Sequence, residues 1–384
     1  MTTLEDRVRD AIDAARDELI ELSHFVHANP ELGYEEFVSA EAVAAAAEGH
    51  GFAVERGVAS RPTAFRATAG NGGLHVAYCA EYDALPDVGH ACGHNVISAA
   101  AVGAGLALAE IADEVGLTVL VLGTHGEEGG GGKVLMLERG AFDGTHAAMM
   151  VHPWPADRLA GQCLAVSHFD VAFSGREAHA SAAPWEGVNA LDAMTIAEVG
   201  IGLLRQQLHP GDQVHGVVLE GGVAANIIPE KVRGRFMCRA TTLPDLQRLD
   251  LRVRACFEAG AHATGATVSF EECAPVYSHM QSDAPLLAAY RANAEALGRR
   301  FTLDDEGAPL PTFSTDMANV SLAVPTIHPL IGLHTGGAVN HQHAFAAATV
   351  TPSGDAAVRD GAIALAWTAI DAATKPSLRE HLLA

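Results

Sequence analysis

The feature that most constrains the fold of this chain is the alternation of short apolar segments with helical segments. Residues 74–80, 117–123 and 145–151 are apolar runs of strand length, bounded by glycine, proline or polar residues. Helical patterns lie between them, including the segment 96–112, which is rich in small residues. This order is typical of a mainly parallel sheet flanked by helices, so we predict an α/β domain.

The pattern changes after about residue 165, where the elements follow the order β-α-β-β-α-β of a ferredoxin-like unit. Near residue 278 the chain returns to helices and buried strands. A chain of 384 residues is long enough for two domains. We therefore predict that 1–165 and 278–384 form the α/β domain, and that an α+β domain at 166–277 interrupts it.

The N-terminal segment 4–28 carries apolar residues at a spacing close to 3.6, which predicts a single amphipathic helix. It lacks the basic-then-apolar order of a signal peptide, and the chain has no apolar run of membrane-spanning length. These features favour a cytoplasmic protein.

Charge and cysteine content exclude several classes of function. With 24 Lys and Arg against 47 Asp and Glu, the net charge is −23, which disfavours nucleic acid and anionic membranes as partners. Six cysteines scattered over a long chain do not form a disulfide scaffold. A small-molecule substrate in a local pocket remains compatible with this composition.

Groups that bind metal ions follow four of the predicted strands. They are Glu81, Asp83, His90, Cys92 and His94 after the first, His125, Glu127 and Glu128 after the second, His152 after the third, and His334, His341 and His343 after a late apolar segment. The carboxyl ends of strands in an open α/β sheet open into one crevice. Thiolate, imidazole and carboxylate together predict a divalent metal site, with zinc as the leading candidate.

Cysteine chemistry is the competing interpretation of the same residues. Cys92 could act as a nucleophile with His94 as its base. That interpretation leaves Glu127, Glu128 and His152 without a role, so the metal site is favoured.

Several motifs together resemble one enzyme family. They are GHACGHN (89–95), HGEEGGGG (125–132), MVHP (150–153), the segment 174–193, NIIP (226–229), FSTDMANVS (313–321) and NHQHAFA (340–346). The chain resembles the metallo-aminohydrolases of peptidase family M20, subfamily D, over about residues 15 to 372. Relatives in that subfamily include aminoacylases, amino-acid-conjugate hydrolases, aminobenzoyl-glutamate hydrolase and dipeptidases.

The resemblance implies a catalytic domain with two divalent metal ions per subunit, most simply zinc, with manganese, cobalt or nickel as alternatives. It implies that the insert 166–277 is a lid that also forms a homodimer. The implied ligands are Cys92, His94, Glu128, His152 and His341, with His334 and His343 as alternatives for the last.

The resemblance also implies the reaction and the roles of further residues. The expected activity is hydrolysis of the amide bond of an N-acyl amino acid or a dipeptide-like substrate. A metal-bridging water would attack, and Glu127 would be the general base. Asp83 would orient a metal-bound imidazole. His179 would reach the reacting carbonyl, and Asn226 and Arg239 would hold the substrate's carboxylate or its oxyanion.

Two alternatives and one departure accompany this hypothesis. The alternatives are a metal-independent hydrolase or transferase with Cys92 as nucleophile, and a non-catalytic binding protein on a degenerate hydrolase fold. The departure is Asn95, which stands where many members of the subfamily have aspartate after the CGH motif. It could alter the charge behind the metal site and the range of substrates.

Overall fold

The computed structural model describes residues 2–384, which divide into two compact units. The larger unit contains the residues up to Gln162 together with Met280–Ala384, and the smaller unit is Cys163–His279. Within residues 2–384, no helix is both long and apolar enough to cross a bilayer.

Helices and strands alternate through most of the chain. The helices are α1 (Leu4–Ala14), α2 (Arg16–Ala28), α3 (Phe37–Gly49), α4 (His94–Ala109), α5 (Ala112–Val115), α6 (Glu127–Gly130), α7 (Gly132–Glu138), α8 (Ala190–Leu204), α9 (Leu243–Thr264), α10 (Ala284–Ala296), α11 (Thr302–Asp305), α12 (Met317–Ser321), α13 (His343–Ala348), α14 (Pro352–Thr374) and α15 (Pro376–Leu383). The strands are β1 (Ala53–Arg56), β2 (Phe65–Ala69), β3 (Leu74–Glu81), β4 (Leu117–Thr124), β5 (Ala147–Met149), β6 (His152–Trp154), β7 (Gln162–Cys163), β8 (Ala165–Ser174), β9 (Gln213–Glu220), β10 (Lys231–Ala240), β11 (Thr267–Glu272), β12 (Thr312–Phe313), β13 (Thr326–Ile327) and β14 (Leu330–Gly332).

A six-stranded sheet forms the centre of the larger unit, in the order β1-β2-β4-β3-β5-β13. The pairs β4–β3, β3–β5 and β5–β13 are parallel, whereas β1 and β2 extend the sheet in antiparallel fashion. Helices cover the sheet, so the prediction of a mainly parallel α/β domain is confirmed.

The strands β3 and β4 are apolar along their whole length because both faces of the sheet are covered. In β3, Val76 and Tyr78 contribute to the core beneath α4 and α14, while the intervening Ala77 and Cys79 contribute to a second core with residues of α7 and α12. Successive side chains of a strand point to opposite faces, so a strand buried on both sides needs no polar alternation. Helix α4 packs on β3 and is itself covered by α2 and α14.

The segment 4–28 forms two helices, so the prediction of one continuous helix was wrong. The backbone departs from helical geometry at Ala15, where φ is −87° and ψ is 3°. Val8 and Ile12 on one side of the break and Leu19 and Leu22 on the other are all buried. The apolar spacing therefore continues across a break that no glycine or proline marks in the sequence.

The smaller unit has the order β-α-β-β-α-β, from β8 through α8, β9, β10 and α9 to β11. Its four strands form an antiparallel sheet in the order β11-β8-β10-β9. This is the ferredoxin-like arrangement that the sequence predicted. A core of its own includes Phe236 and Phe257, whose ring centroids lie 4.7 Å apart.

Candidate metal centre

The parallel strands of the central sheet bring the predicted ligands to one edge. Strands β3 and β4 run in register to their last residues, with Glu81 opposite Thr124. Asp83 and Glu127 follow these two strand ends, and His152 follows β5, the parallel neighbour of β3. Strand β14 pairs in parallel with β6 and places Leu330 opposite His152. Ligands that are far apart in the sequence therefore lie close together at this edge of the sheet.

A tight turn carries Cys92 and His94. Gly93 between them has a φ of +87°, and a Cβ at this position would lie 2.7 Å from the ring of Pro153. Only glycine fits a left-handed conformation pressed against another chain segment in this way. Helix α4 begins at His94 directly after the turn, so the imidazole is held at a fixed helix terminus.

His94 is fully buried, and its two ring nitrogens face different partners. Nδ1 lies 2.8 Å from the backbone oxygen of Asp83 and 3.1 Å from Asp83 Oδ1. Nε2 faces carboxylates instead, at 3.9 Å from Glu127 Oε2 and 4.0 Å from Glu128 Oε1. Because both partners of Nδ1 are acceptors, Nδ1 carries a proton and Nε2 is left as a potential metal ligand.

Cys92 lies between two further imidazoles. Its Sγ is 3.5 Å from Nε2 of His152 and 3.6 Å from Nε2 of His341. His152 Nδ1 lies 2.9 Å from the backbone oxygen of Pro153, which directs Nε2 towards the thiol. The His341 backbone donates to the Ala91 carbonyl at 2.9 Å, and the residue adopts a φ of +70°.

Three groups of side chains have their potential ligand atoms within 4.8 Å of one another. They are Cys92 with His94 and His152, Cys92 with Glu128 and His341, and His94 with Glu127 and Glu128. Across residues 2–384, these groups contain His341 but neither His334 nor His343. Cys92, His94 and Glu128 each belong to two groups, as expected for adjacent cation positions.

The donor set fits divalent cations. The buried atoms His94 Nε2 and Glu128 Oε1 have no hydrogen-bond partner in the part of the chain that the structure describes. Orphaned buried polar atoms are rare in folded proteins and call for an explanation, of which an ion is one. Thiolate, imidazole and carboxylate are the ligands of zinc and of related borderline cations.

The electrostatics of the cluster also favour cations. Burial, together with the neighbouring charges of Glu128 and Glu81, raises the pKa of the Glu127 carboxyl well above its usual range. Burial also raises the pKa of the Cys92 thiol, and it lowers the pKa of His152. Three carboxylates so close together repel one another, and cations between them relieve this repulsion.

The smaller unit carries the remaining predicted site residues. His179 pairs with Ile227 in an isolated antiparallel bridge, and the amide of Ala180 donates to the Asn226 carbonyl at 3.0 Å. His179 and Asn226 therefore lie on neighbouring segments, and both are exposed. Arg239 lies on β10, where burial lowers its pKa.

Sequence analysis missed a buried ion cluster behind the metal ligands. Lys133 is fully buried, and its Nζ lies 2.5 Å from Glu81 Oε1 and 2.6 Å from Asp316 Oδ1. The other oxygen of Glu81 is 3.4 Å from His94 Nε2. A lysine after four glycines suggests a solvated turn, so only the tertiary structure identifies these partners.

Two further buried residues, His328 and Asn95, lie near the ligands, and the sequence analysis assigned neither of them a role. His328 is buried beside His152, with 5.2 Å between the ring centroids, and burial lowers its pKa to about 4. Asn95, the departure from the subfamily pattern, is fully buried and donates to Ser23 Oγ on α2 at 2.9 Å.

Comparison with known proteins shows which family the chain belongs to. The sequence profile of peptidase family M20/M25/M40 matches residues 77–358. The mouse Xaa-Arg dipeptidase is 39% identical over 98% of this chain and 90% of its own length. One of the subunits of the Escherichia coli p-aminobenzoyl-glutamate hydrolase is 34% identical over 68% of this chain and 59% of its own length.

Solved structures share the fold. A dinuclear metal-binding peptidase of the M20 family from Bacillus subtilis superposes with a TM-score of 0.70 at 20% identity, covering 93% of this chain and 98% of that chain. An aminobenzoyl-glutamate utilization protein from Klebsiella pneumoniae gives 0.75 at 17% identity, with 95% and 98% covered. The family predicted from the motifs is confirmed: the chain belongs to peptidase family M20/M25/M40 and is a metal-dependent hydrolase of amide bonds.

Proposed function

We propose that the protein hydrolyses the amide bond of an N-acyl amino acid or a dipeptide, with two divalent metal ions and with Glu127 as general base. The observation that carries this proposal is the convergence of three potential ligand groups, one of which includes the Glu127 carboxylate. The relatives whose names describe dipeptide and acyl-amino-acid hydrolysis support the substrate class.

The proposed ligands are Cys92, His94, Glu128, His152 and His341, which contribute the atoms of the two cysteine-containing groups. Zinc is the proposed metal because one thiolate among imidazoles and a carboxylate suits a borderline cation, and manganese, cobalt and nickel remain alternatives. Divalent cations at such a site polarise the substrate's carbonyl and lower the pKa of the attacking water.

Glu127 is the proposed base because it is the carboxylate beside the ligands that neither cysteine-containing group requires. In the proposed step it accepts the proton of the attacking water and then donates this proton to the departing amine. Its buried position favours such a transfer, because a carboxyl in low-polarity surroundings holds a proton more readily.

Asp83 and Pro153 are proposed to orient two of the ligands. The Asp83 carboxylate accepts from Nδ1 of His94, and the Pro153 carbonyl accepts from Nδ1 of His152. Each contact fixes which ring nitrogen carries the proton and directs Nε2 towards the site.

The smaller unit supplies the remaining proposals. We retain His179 as the group that stabilises the reacting carbonyl, and Asn226 and Arg239 as the groups that bind the substrate's carboxylate or its oxyanion. We also propose that this unit is a lid through which two copies form a homodimer. The cytoplasmic location predicted from the N-terminal sequence stays a prediction.

The alternative with Cys92 as a metal-free nucleophile is disfavoured by its surroundings. A nucleophilic cysteine needs a pKa lowered by cationic neighbours or a helix N-terminus. His94 beside the thiol acts in that direction, but burial and the adjacent Glu128 outweigh it and raise the pKa of Cys92 well above its usual value.

The experiment that tests the proposal is a panel of N-acyl amino acids and dipeptides, with amine release as the readout. The full-length protein is assayed as purified, after chelation, and after addition of zinc, manganese or cobalt. We expect hydrolysis of at least one class, its loss on chelation and its recovery with metal. Undiminished hydrolysis in the chelated, metal-free protein would overturn the proposal.

A further inference from the structure

The segment Gly33–Glu36 lies against the glycine-rich turn that follows Glu127. The Tyr34 hydroxyl donates to the carbonyl of Gly130. A Cβ on Gly130 would lie 2.7 Å from the Tyr34 ring, and a Cβ on Gly126 would lie 3.2 Å from it. The glycines of this turn therefore allow the backbone to approach the tyrosine ring. The two segments in contact are nearly one hundred residues apart in the sequence.

Glu36 holds the backbone of the same turn by a direct hydrogen bond. Its side chain is 0% exposed, and its Oε1 accepts from the amide of Gly126 at 2.7 Å. Gly126 adopts a φ of +57°, a left-handed conformation that glycine reaches at little cost.

Asp83 holds the other side of the turn. Its Oδ2 accepts from the amide of Glu128 at 2.8 Å. Two buried carboxylates thus bind the amides of the residues immediately before and after Glu127. The Glu128 amide belongs to the peptide unit directly after the Cα of Glu127, and the Gly126 amide belongs to the second unit before it. The unit directly before Glu127 is held through the Gly126 carbonyl, which accepts from the amide of Gly132 at 3.2 Å, so the backbone on both sides of Glu127 has little freedom to rotate.

The Glu36 carboxyl is costly to bury in this position. Burial and the nearby charge of Asp83 raise its pKa to about 7. An apolar side chain of similar volume would avoid this desolvation, but it would leave the Gly126 amide without its acceptor.

We propose that Glu36 is a positioning residue for amide hydrolysis, which acts by holding the Gly126 amide and thereby aligning the Glu127 carboxylate. The proposal rests on the proposed role of Glu127 as the base. Glu36 itself acts through its acceptor oxygen and not through its charge. Position 36 therefore requires a side chain of the length of glutamate with an acceptor oxygen at the place of Oε1.

Three substitutions separate length from charge in the full-length protein. E36Q keeps the length and an acceptor oxygen but removes the charge, whereas E36D keeps the charge and withdraws the oxygen by one methylene. E36L removes the acceptor at similar volume. E35Q and E35L are matched controls at the exposed neighbouring position.

Two measurements are made on each variant. The first is hydrogen exchange of the peptide that covers residues 125–132 in the metal-free protein. The second is kcat and KM of the metal-loaded enzyme, together with its metal content. We expect faster exchange in E36D and E36L, a kcat at least tenfold lower, KM within about twofold and full metal content. E36Q and both Glu35 variants should match the parent within about threefold.

The opposite order would overturn the proposal. If E36D matched the parent while E36Q lost activity, charge and not position would be the contribution of Glu36. Parental exchange and kcat in E36D and E36L would show that the hydrogen bond is dispensable. If E36L does not fold, the comparison of E36D with E36Q in exchange and kcat decides between position and charge. Parental turnover of E127Q would refute the proposed role of Glu127 as general base. The exchange data test independently whether Glu36 restrains the backbone of the turn.

Discussion

Asp83 contacts His94 through two of its oxygens, with the backbone oxygen at 2.8 Å and Oδ1 at 3.1 Å from the imidazole Nδ1. Both side chains are buried. Although burial lowers the pKa of His94, the charges of Asp83 and Glu81 raise it well above its usual value. The Asp83 carboxylate also strengthens Nε2 as a ligand, because electron density donated at Nδ1 makes the imidazole more basic.

Replacing Asp83 should weaken metal binding. We expect D83N to bind zinc about 10- to 100-fold more weakly, the range typical of partners that orient metal-binding histidines. Titration of the metal-free protein with zinc by calorimetry measures the change. D87N at an exposed position of the same loop is the matched control. Equal zinc affinity in D83N and the parent would contradict the orienting role.

Replacing Glu127 should separate chemistry from metal binding. We expect E127Q to lower kcat by about 10²- to 10⁴-fold, the usual contribution of a general base, while both metal ions stay bound. Steady-state kinetics and elemental analysis of the same preparation check this. The exposed E138Q should behave as the parent. An E127Q protein with parental kcat and full metal content would remove Glu127 from the mechanism.

Replacing a metal ligand should have the opposite effect, in which the protein loses metal and its activity falls as a consequence. We expect C92S and E128Q to bind at least one metal ion about tenfold or more weakly, since each belongs to two of the three ligand groups. Elemental analysis after dialysis measures the loss, and added metal should restore part of the activity. C273S, at an exposed cysteine, is the control. If C92S kept all its metal but lost all activity, a nucleophilic role for Cys92 would be favoured instead.

The raised pKa of Glu36 predicts a pH-dependent stability. In the folded state this pKa is about 7, against 4.5 for the unperturbed group, so between these values the folded protein binds more protons than the unfolded chain. The group therefore destabilises the fold increasingly as the pH rises through this interval.

E36Q removes this dependence, because glutamine does not titrate. We expect its free energy of unfolding to exceed that of the parent at pH 8 by about 3 kcal/mol, and to match the parent near pH 4. Urea unfolding of the metal-free proteins at both pH values measures the difference. A larger stabilisation at pH 4 than at pH 8 would contradict the assigned direction.

The sequence predicts the parts of the site that follow strands, and it fails where contacts depend on distant segments. Glu127 and His152 could be placed because an apolar strand precedes each, and parallel strands end at one edge of the sheet. Glu36 could not, since its partner Gly126 is ninety residues away and no periodicity links them. Lys133 was missed because its two buried carboxylate partners come from β3 and from the residue before α12.

The ferredoxin-like unit was predictable for a different reason. Its strands are antiparallel and its helices are long, so the order of elements alone nearly determines the sheet. The break at Ala15 was not predictable, because α1 and α2 bury the same apolar face and only the backbone angles of one residue differ.

Diffraction at the absorption edge of zinc, from crystals of the zinc-loaded protein, tests the central claim most directly. We predict two anomalous peaks, with Cys92, His94, Glu128, His152 and His341 as the protein ligands. Peaks elsewhere in the molecule, or an active protein in which these side chains hold no ion, would contradict the account.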